Sequence, residues 1–134
     1  MIAAAGLRME IEELPGAGNR QIIQAYGDGG FRISGRAWTG SVVVFVDRTI
    51  AWPPLLAEEL DADRLTRVAA VEPSLEILLL GCGPALAALP PTLRGRLGEA
   101  GPVIDAMDTG AACRTFNVLA AEDRRVAAAL LALD

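Results

Sequence analysis

The segment Met107-Asp-Thr-Gly-Ala-Ala-Cys-Arg114 holds the residues best suited to chemistry. It passes from an apolar stretch through Gly110 into a predicted helix whose first turn carries Cys113 and Arg114. Unpaired N–H groups at a helix start form a natural anion site. A cysteine placed there loses its proton more readily than a free thiol. A second glycine exit, Gly81-Cys82-Gly83-Pro84, also follows an apolar stretch. If the two parent strands are parallel neighbours, both exits open on one edge, where open α/β sheets bind ligands. Cys82, Gly83, Asp108, Thr109, Gly110, Cys113 and Arg114 then form a candidate anion or ligand site. Asp108 would be its acid or base, Arg114 its clamp, and the amides after Gly110 its oxyanion or phosphate donors. The plainer alternative gives the glycines to tight strand-to-helix turns, with Asp108 or Thr109 as the cap. Cys113 is then a small packed hydrophobe. A Cys82–Cys113 redox pair is a third reading, subject to the distance a disulfide requires.

The residue inventory excludes much else. Histidine is absent, which removes the commonest general base, the Ser-His and Cys-His pairs and imidazole metal sites. All 12 basic residues are arginines, so Schiff-base chemistry and a phosphate-loop lysine are excluded. Neither glycine exit has Gly-x-Gly-x-x-Gly or Walker spacing. Two cysteines are too few for a zinc site, so neither metal nor cofactor is expected. Net charge is −5 and the arginines are dispersed, which disfavours nucleic-acid binding. The apolar start is short, broken by Arg8 and followed by acidic residues, unlike a signal peptide. No apolar run is long enough to span a bilayer, so direct membrane insertion is not expected and the cytoplasm is the default.

The elements that must position these groups fall into two halves. With 134 residues, 52% of them hydrophobic, the chain is long and apolar enough for one domain with a real core. Residues 1–20 read as a flexible N-terminal arm, and 21–134 as a single mixed α/β domain. In the first half, Gln21–Tyr26 and Phe31–Ser34 are short strands around a turn at Gly27–Gly30. Gly35 and Gly40 bracket a second turn. Ser41–Val46 is β-branched and apolar on both faces, as in a buried strand, and Thr49–Trp52 is another. In the second half, Asp61 caps a helix running through Leu65 and Val68. Leu75–Leu80 is a buried strand. Pro91 opens a helix with Leu93 and Leu97 four apart, and Gly101 ends it. Val103–Met107 is a strand, and Gly110 to about Glu122 a helix with Ala112, Phe116, Leu119 and Ala120 on one stripe. Strand alternating with helix implies parallel pairing. The Ala- and Leu-rich tail suits a helix by propensity, and a strand buried on both faces by its lack of polar residues.

A second set of residues suggests a docking surface. Arg32, Arg36 and Arg48 form an exposed set; Arg32 and Arg36 read either as solvated faces or as an edge that docks an acidic partner, and Trp38 and Trp52 either as its anchors or as core or rim packing. An exposed β edge also allows a homodimer.

Four motifs occur in order: Gly30-Phe-Arg-Ile33, Gly40-Ser-Val-Val-Val44, Ile77-Leu-Leu-Leu-Gly-Cys-Gly83 and Met107-Asp-Thr-Gly-Ala-Ala-Cys-Arg-Thr-Phe-Asn-Val118. Together they resemble the family of small uncharacterised proteins that includes assembly factor 3 of mitochondrial respiratory complex I and the adipogenesis-associated proteins. The match runs over about residues 20–133. The resemblance implies a three-layer α/β fold, with a central mixed β-sheet, helices and an additional N-terminal β layer. It also implies that 125–132 is a strand, antiparallel to its neighbours. It points to a non-enzymatic interaction or assembly module whose partners are proteins, among them a membrane-associated complex.

Overall fold

The computed structural model describes residues 8–10, 20–52, 65, 67–68, 70, 74–85, 95, 99 and 101–133. Two tight hairpins build its first layer. Asp28 and Gly29 have φ of 56° and 74°, and Ser34 and Gly35 have φ of 47° and 84°. Two successive positive-φ residues make the turn whose twist suits a two-residue hairpin. The first turn joins β2 (Ile23–Gly27) to β3 (Gly30–Ile33), and the second joins β3 to β4 (Arg36–Thr39). Most of the Gly35–Gly40 segment, expected as a turn, is therefore strand. Its alternation is hidden because β4 is largely exposed on both faces. On the other side of β2 lies β1 (Arg8–Glu10), an antiparallel strand inside the segment read as a flexible arm. Its three residues are too few to show a period.

Gly40, at φ 85°, turns the chain out of this four-stranded sheet into β5 (Ser41–Phe45), which belongs to a second sheet. That sheet has the order β6 (Thr49–Trp52), β5, β9 (Val126–Leu130), β7 (Ile77–Gly81), β8 (Val103–Met107). Every residue of β5 and β9 is buried, which is why both are apolar on both faces. The tail is thus a strand, as the resemblance implies and against its propensity. Its pairing corrects one expectation. β9 is antiparallel to β5 but parallel to β7. It occupies the middle of the sheet, reached from β8 through α1 (Thr109–Ala121), and such a crossover returns the chain in the same direction.

The five-stranded sheet is the middle of three layers. On one face, Val42, Val44, Leu79, Ala128 and Leu130 meet Phe116 of α1 and Ile23, Phe31 and Ile33 of the N-terminal sheet. On the other face, Val43, Leu78, Leu80, Ala127 and Ala129 meet Leu65 and Val68. Leu65, Arg67 and Val68 are helical, as are Gly95 and Glu99. The cap expected at Asp61 and the helix start expected at Pro91, with Leu93 and Leu97, lie outside the described residues.

The N-terminal sheet is held to α1 by one buried amide. Asn117 Oδ1 accepts from the Ile23 N–H at 3.0 Å, and its Nδ2 donates to the Ile23 carbonyl at 2.9 Å. Ile23 is fully buried, so without Asn117 both backbone groups would lose their partner away from water. Asn117→Ala is expected to cost about 2–4 kcal/mol in urea unfolding, the range for stranding two buried groups. Amide exchange at Ile23 should rise with it. Unchanged protection there would show that the clamp does not hold this layer.

Candidate functional site

The two glycine exits do meet. β7 and β8 are parallel neighbours in a register that sets Gly81 beside Met107. Both strands therefore end at one edge, as expected. What they form there is a closed seam. The Cys82 N–H donates to the Met107 carbonyl at 2.8 Å, and the Thr109 N–H to the Gly83 carbonyl at 2.9 Å. The Thr109 hydroxyl accepts from the Gly83 N–H at 2.9 Å and donates to the Leu131 carbonyl at 2.7 Å. The Leu131 N–H returns to the Gly81 carbonyl at 2.9 Å. Gly81 gives the seam its close approach: a Cβ there would lie 2.9 Å from Leu130 Cδ2 and 3.1 Å from Thr109 Oγ1, so a larger residue would force these buried groups to shift.

The helix start is satisfied from within. Asp108 is extended, and its carboxylate accepts from the Ala111 N–H at 2.8 Å, so it is the N-cap of α1. Its acceptor faces the helix it caps. The Thr109 and Ala111 amides are both in use, which leaves little of the donor array that anion binding requires. Gly110 serves close packing. A Cβ on it would lie 2.6 Å from the hydroxyl of Tyr26, which comes from β2. Arg114 is exposed, and its Nη1 donates to that same hydroxyl at 3.0 Å. Among the described residues no carboxylate pairs with it.

Sequence reasoning missed Tyr26 and Asn117. Tyr26 is the chain's single tyrosine, which was a usable signal for a polar contact. Asn117 sits on the helical face of Cys113 and Ala120, where a polar residue needs a partner.

The two thiols are packed and apart. Cys113 is 0% exposed in the core between α1, the N-terminal sheet and the central sheet. Burial pushes its thiol far above the ordinary range, against a smaller opposing pull from the Arg114 guanidinium and with a small push from Asp108. It is therefore no thiolate nucleophile at neutral pH. Cys82 continues the Leu78 and Leu80 side of β7 into the opposite core. With the central sheet between them, the thiols do not make a redox pair, and both are free. Among the described residues no three His, Cys, Asp or Glu side chains group to hold a metal ion.

The second set of candidates divides. Phe31 pairs with Trp38, and Ile33 with Arg36, so Arg36 and Trp38 share one face of the N-terminal sheet. There the Arg36 guanidinium stacks 4.2 Å from the centroid of the Trp38 ring, a cation–π contact. Arg32 is exposed on the opposite face, beside Ala37. Trp52 belongs to β6 of the other sheet and is buried in the far core, where its indole N–H has no partner among the described residues.

The family described as "Protein of unknown function (DUF498/DUF598)" matches residues 23–131. An uncharacterised protein of Rhodobacter capsulatus is 34% identical over 117 residues, covering 87% of this chain and 89% of its own. Assembly factor 3 of the NADH dehydrogenase [ubiquinone] 1 alpha subcomplex from Danio rerio is 31% identical over 110 residues, covering 82% of this chain. The match spans 63% of that factor's length. Two solved structures are similar. The crystal structure of an outer membrane protein from Bartonella henselae has a TM-score of 0.72 at 40% identity, covering 87% of this chain and 98% of its own. The solution structure of a Mth938-like domain from Bordetella pertussis has a TM-score of 0.75 at 28% identity, covering 92% of each chain. No helix among the described residues is long and apolar enough to cross a membrane.

Two measurements check the seam and the thiol. Thr109→Val keeps the shape but strands the Gly83 N–H and the Leu131 carbonyl, and should cost about 2–3 kcal/mol in urea unfolding. Thr109→Ser keeps the hydroxyl and should lose only about 1 kcal/mol, the contribution of the missing methyl. Equal losses would mean that the hydroxyl does not carry the seam. For Cys113, the folded state holds the thiol protonated while the unfolded thiol ionises near pH 8.5. Its contribution is therefore complete below that pH and is lost above it. From pH 7.5 to 10 the stability advantage of the native chain over Cys113→Ala should shrink by about 2 kcal/mol. A pH-independent difference would contradict a buried neutral thiol.

Proposed function

The chain belongs to the DUF498/DUF598 family, and on that premise we propose that it is a non-enzymatic interaction module of the cytoplasm. Its partners are proteins, and its role is to assist assembly of a respiratory or other membrane-associated complex. The observation that carries this reading is the likeness to proteins named as complex I assembly factors, at 31% identity over 82% of this chain. The closed seam supports it. A reaction at the strand ends would need free donors and an ionisable nucleophile. Here the Thr109 hydroxyl donates to the Leu131 carbonyl, the Ala111 amide donates to the Asp108 carboxylate, and Cys113 is buried and protonated.

The test is co-purification from the native host followed by deletion. The tagged chain should bring down subunits of one membrane-associated complex. Cells lacking the gene should accumulate less of that assembled complex on native gels. Recovery of the chain alone, together with normal assembly in the deletion strain, would refute the reading.

A further inference from the structure

We infer that the free edge of β4 takes an extended acidic segment of a partner protein as a fifth strand of the N-terminal sheet. This rests on the interaction-module reading and supplies the surface and partner chemistry that it lacks. β4 ends the order β1-β2-β3-β4, and among the described residues no strand pairs with its far side. Its ladder shows which groups face outward. The Gly40 N–H donates to the Gly29 carbonyl at 2.7 Å, so residues 29 and 40 form a hydrogen-bonded pair. Hydrogen-bonded and non-bonded pairs alternate in an antiparallel ladder. Phe31/Trp38 and Ile33/Arg36 are then bonded pairs, while Gly30/Thr39 and Arg32/Ala37 are not. Ala37 and Thr39 therefore turn their N–H and C=O groups to the open edge. Both residues are exposed. Two outward residues at this stride are what an added strand pairs with.

Charge identifies the occupant. The chain carries a net charge of −5, yet β3 and β4 contain two arginines and no acidic residue, the flanking Asp28 lying in the turn before β3 and Asp47 beyond β5, paired with Arg48. The two arginines flank the edge on opposite faces. Arg36 is held over the Trp38 ring on one face, and pre-ordering of a guanidinium lowers the cost of engaging a carboxylate. Arg32 lies one strand inward on the other face, and the intervening Ala37 has no side chain long enough to screen it. An added strand alternates its side chains between the two faces. Carboxylates at successive positions would thus meet a guanidinium on each side. Edge strands are ordinarily guarded against pairing by charge. Here the guard is of one sign, so it repels basic segments and admits acidic ones.

The probe is a fluorescein-labelled peptide, Thr-Val-Thr-Glu-Asp-Val-Thr, whose adjacent acids face opposite sides of a strand, titrated with the purified full chain at low salt and read by anisotropy. It should bind at least about tenfold more tightly than its counterpart with lysine at the acidic positions. Arg32→Glu combined with Arg36→Glu should weaken it by about tenfold or more. Ala37→Pro should do the same while leaving both charges, because it deletes only the outward N–H. Methylating the peptide's alternate backbone nitrogens blocks the same pairing against the unaltered protein, whatever the stability of the proline variant. Equal binding of the acidic and lysine peptides would overturn the inference. So would undiminished binding of the methylated peptide, or attachment to phosphatidylserine vesicles without peptide binding. Peptide binding with an empty host pull-down and normal assembly in the deletion strain would refute the assembly role and keep the edge. A productive pull-down without peptide binding would do the reverse.

Discussion

The hydroxyl of Thr109 is the point at which three separate stretches of chain converge. It accepts from the exit of β7 and donates to the residue after β9, while its own backbone opens α1 directly after β8. A buried hydroxyl in this position must use both its donor and its acceptor capacity, since an unmade bond away from water costs more than a made one gains. The ends of β7, β8 and β9 are consequently locked to one another at the edge where α/β sheets usually leave an opening. The lack of a side chain at Gly81 is part of the same arrangement, because α1 starts against that position.

The three buried polar side chains among the described residues follow a common pattern. Ser41, Thr109 and Asn117 each bond to backbone groups of a segment distant in sequence. Ser41 accepts from the Ala132 N–H at 2.9 Å, tying the start of β5 to the chain beyond β9. Asn117 ties α1 to β2. Apolar packing brings the layers together without specifying their alignment, whereas directional bonds to particular backbone groups set one alignment. The polar groups of these three side chains are spent on architecture. Among the described residues, edges and exposed arginines are groups available to another molecule.

Much of the candidate site was legible because it depends on local signals. The two glycine exits and the helix start after Asp108 follow from hydrophobic period and turn chemistry; Cys113, expected in the first turn, is the fifth residue of α1 and lies in the second, because the helix begins at Thr109 rather than after Gly110. The closing of the site was not legible. Tyr26, which fills the space over Gly110 and holds Arg114, lies 88 residues before that arginine and in a different sheet. Ile23 and Asn117 are 94 residues apart. No window of sequence contains both members of such a pair. The interface candidates show the same limit: Arg36 and Trp38 are two apart on one strand and stay together, whereas Trp52 is carried to the far core by its sheet.

By itself the sequence determined the elements whose cause is short-range. The β-branched run in β5 is apolar on both faces, Asp28-Gly29 can hold two positive-φ residues, and the missing histidines and lysines limit the available chemistry. Only the tertiary structure decided what depends on neighbours. The residues Val126-Ala-Ala-Ala-Leu130 favour a helix in isolation, yet they form the central strand because β5 and β7 satisfy their backbone groups on both sides. The same holds for the edge of the sheet, where a promising pair of glycine exits is sealed by a hydroxyl whose partners come from elsewhere in the chain. Backbone preference is a property of a few adjacent residues, whereas burial and hydrogen-bond satisfaction belong to the assembled fold, and here the second outweighs the first.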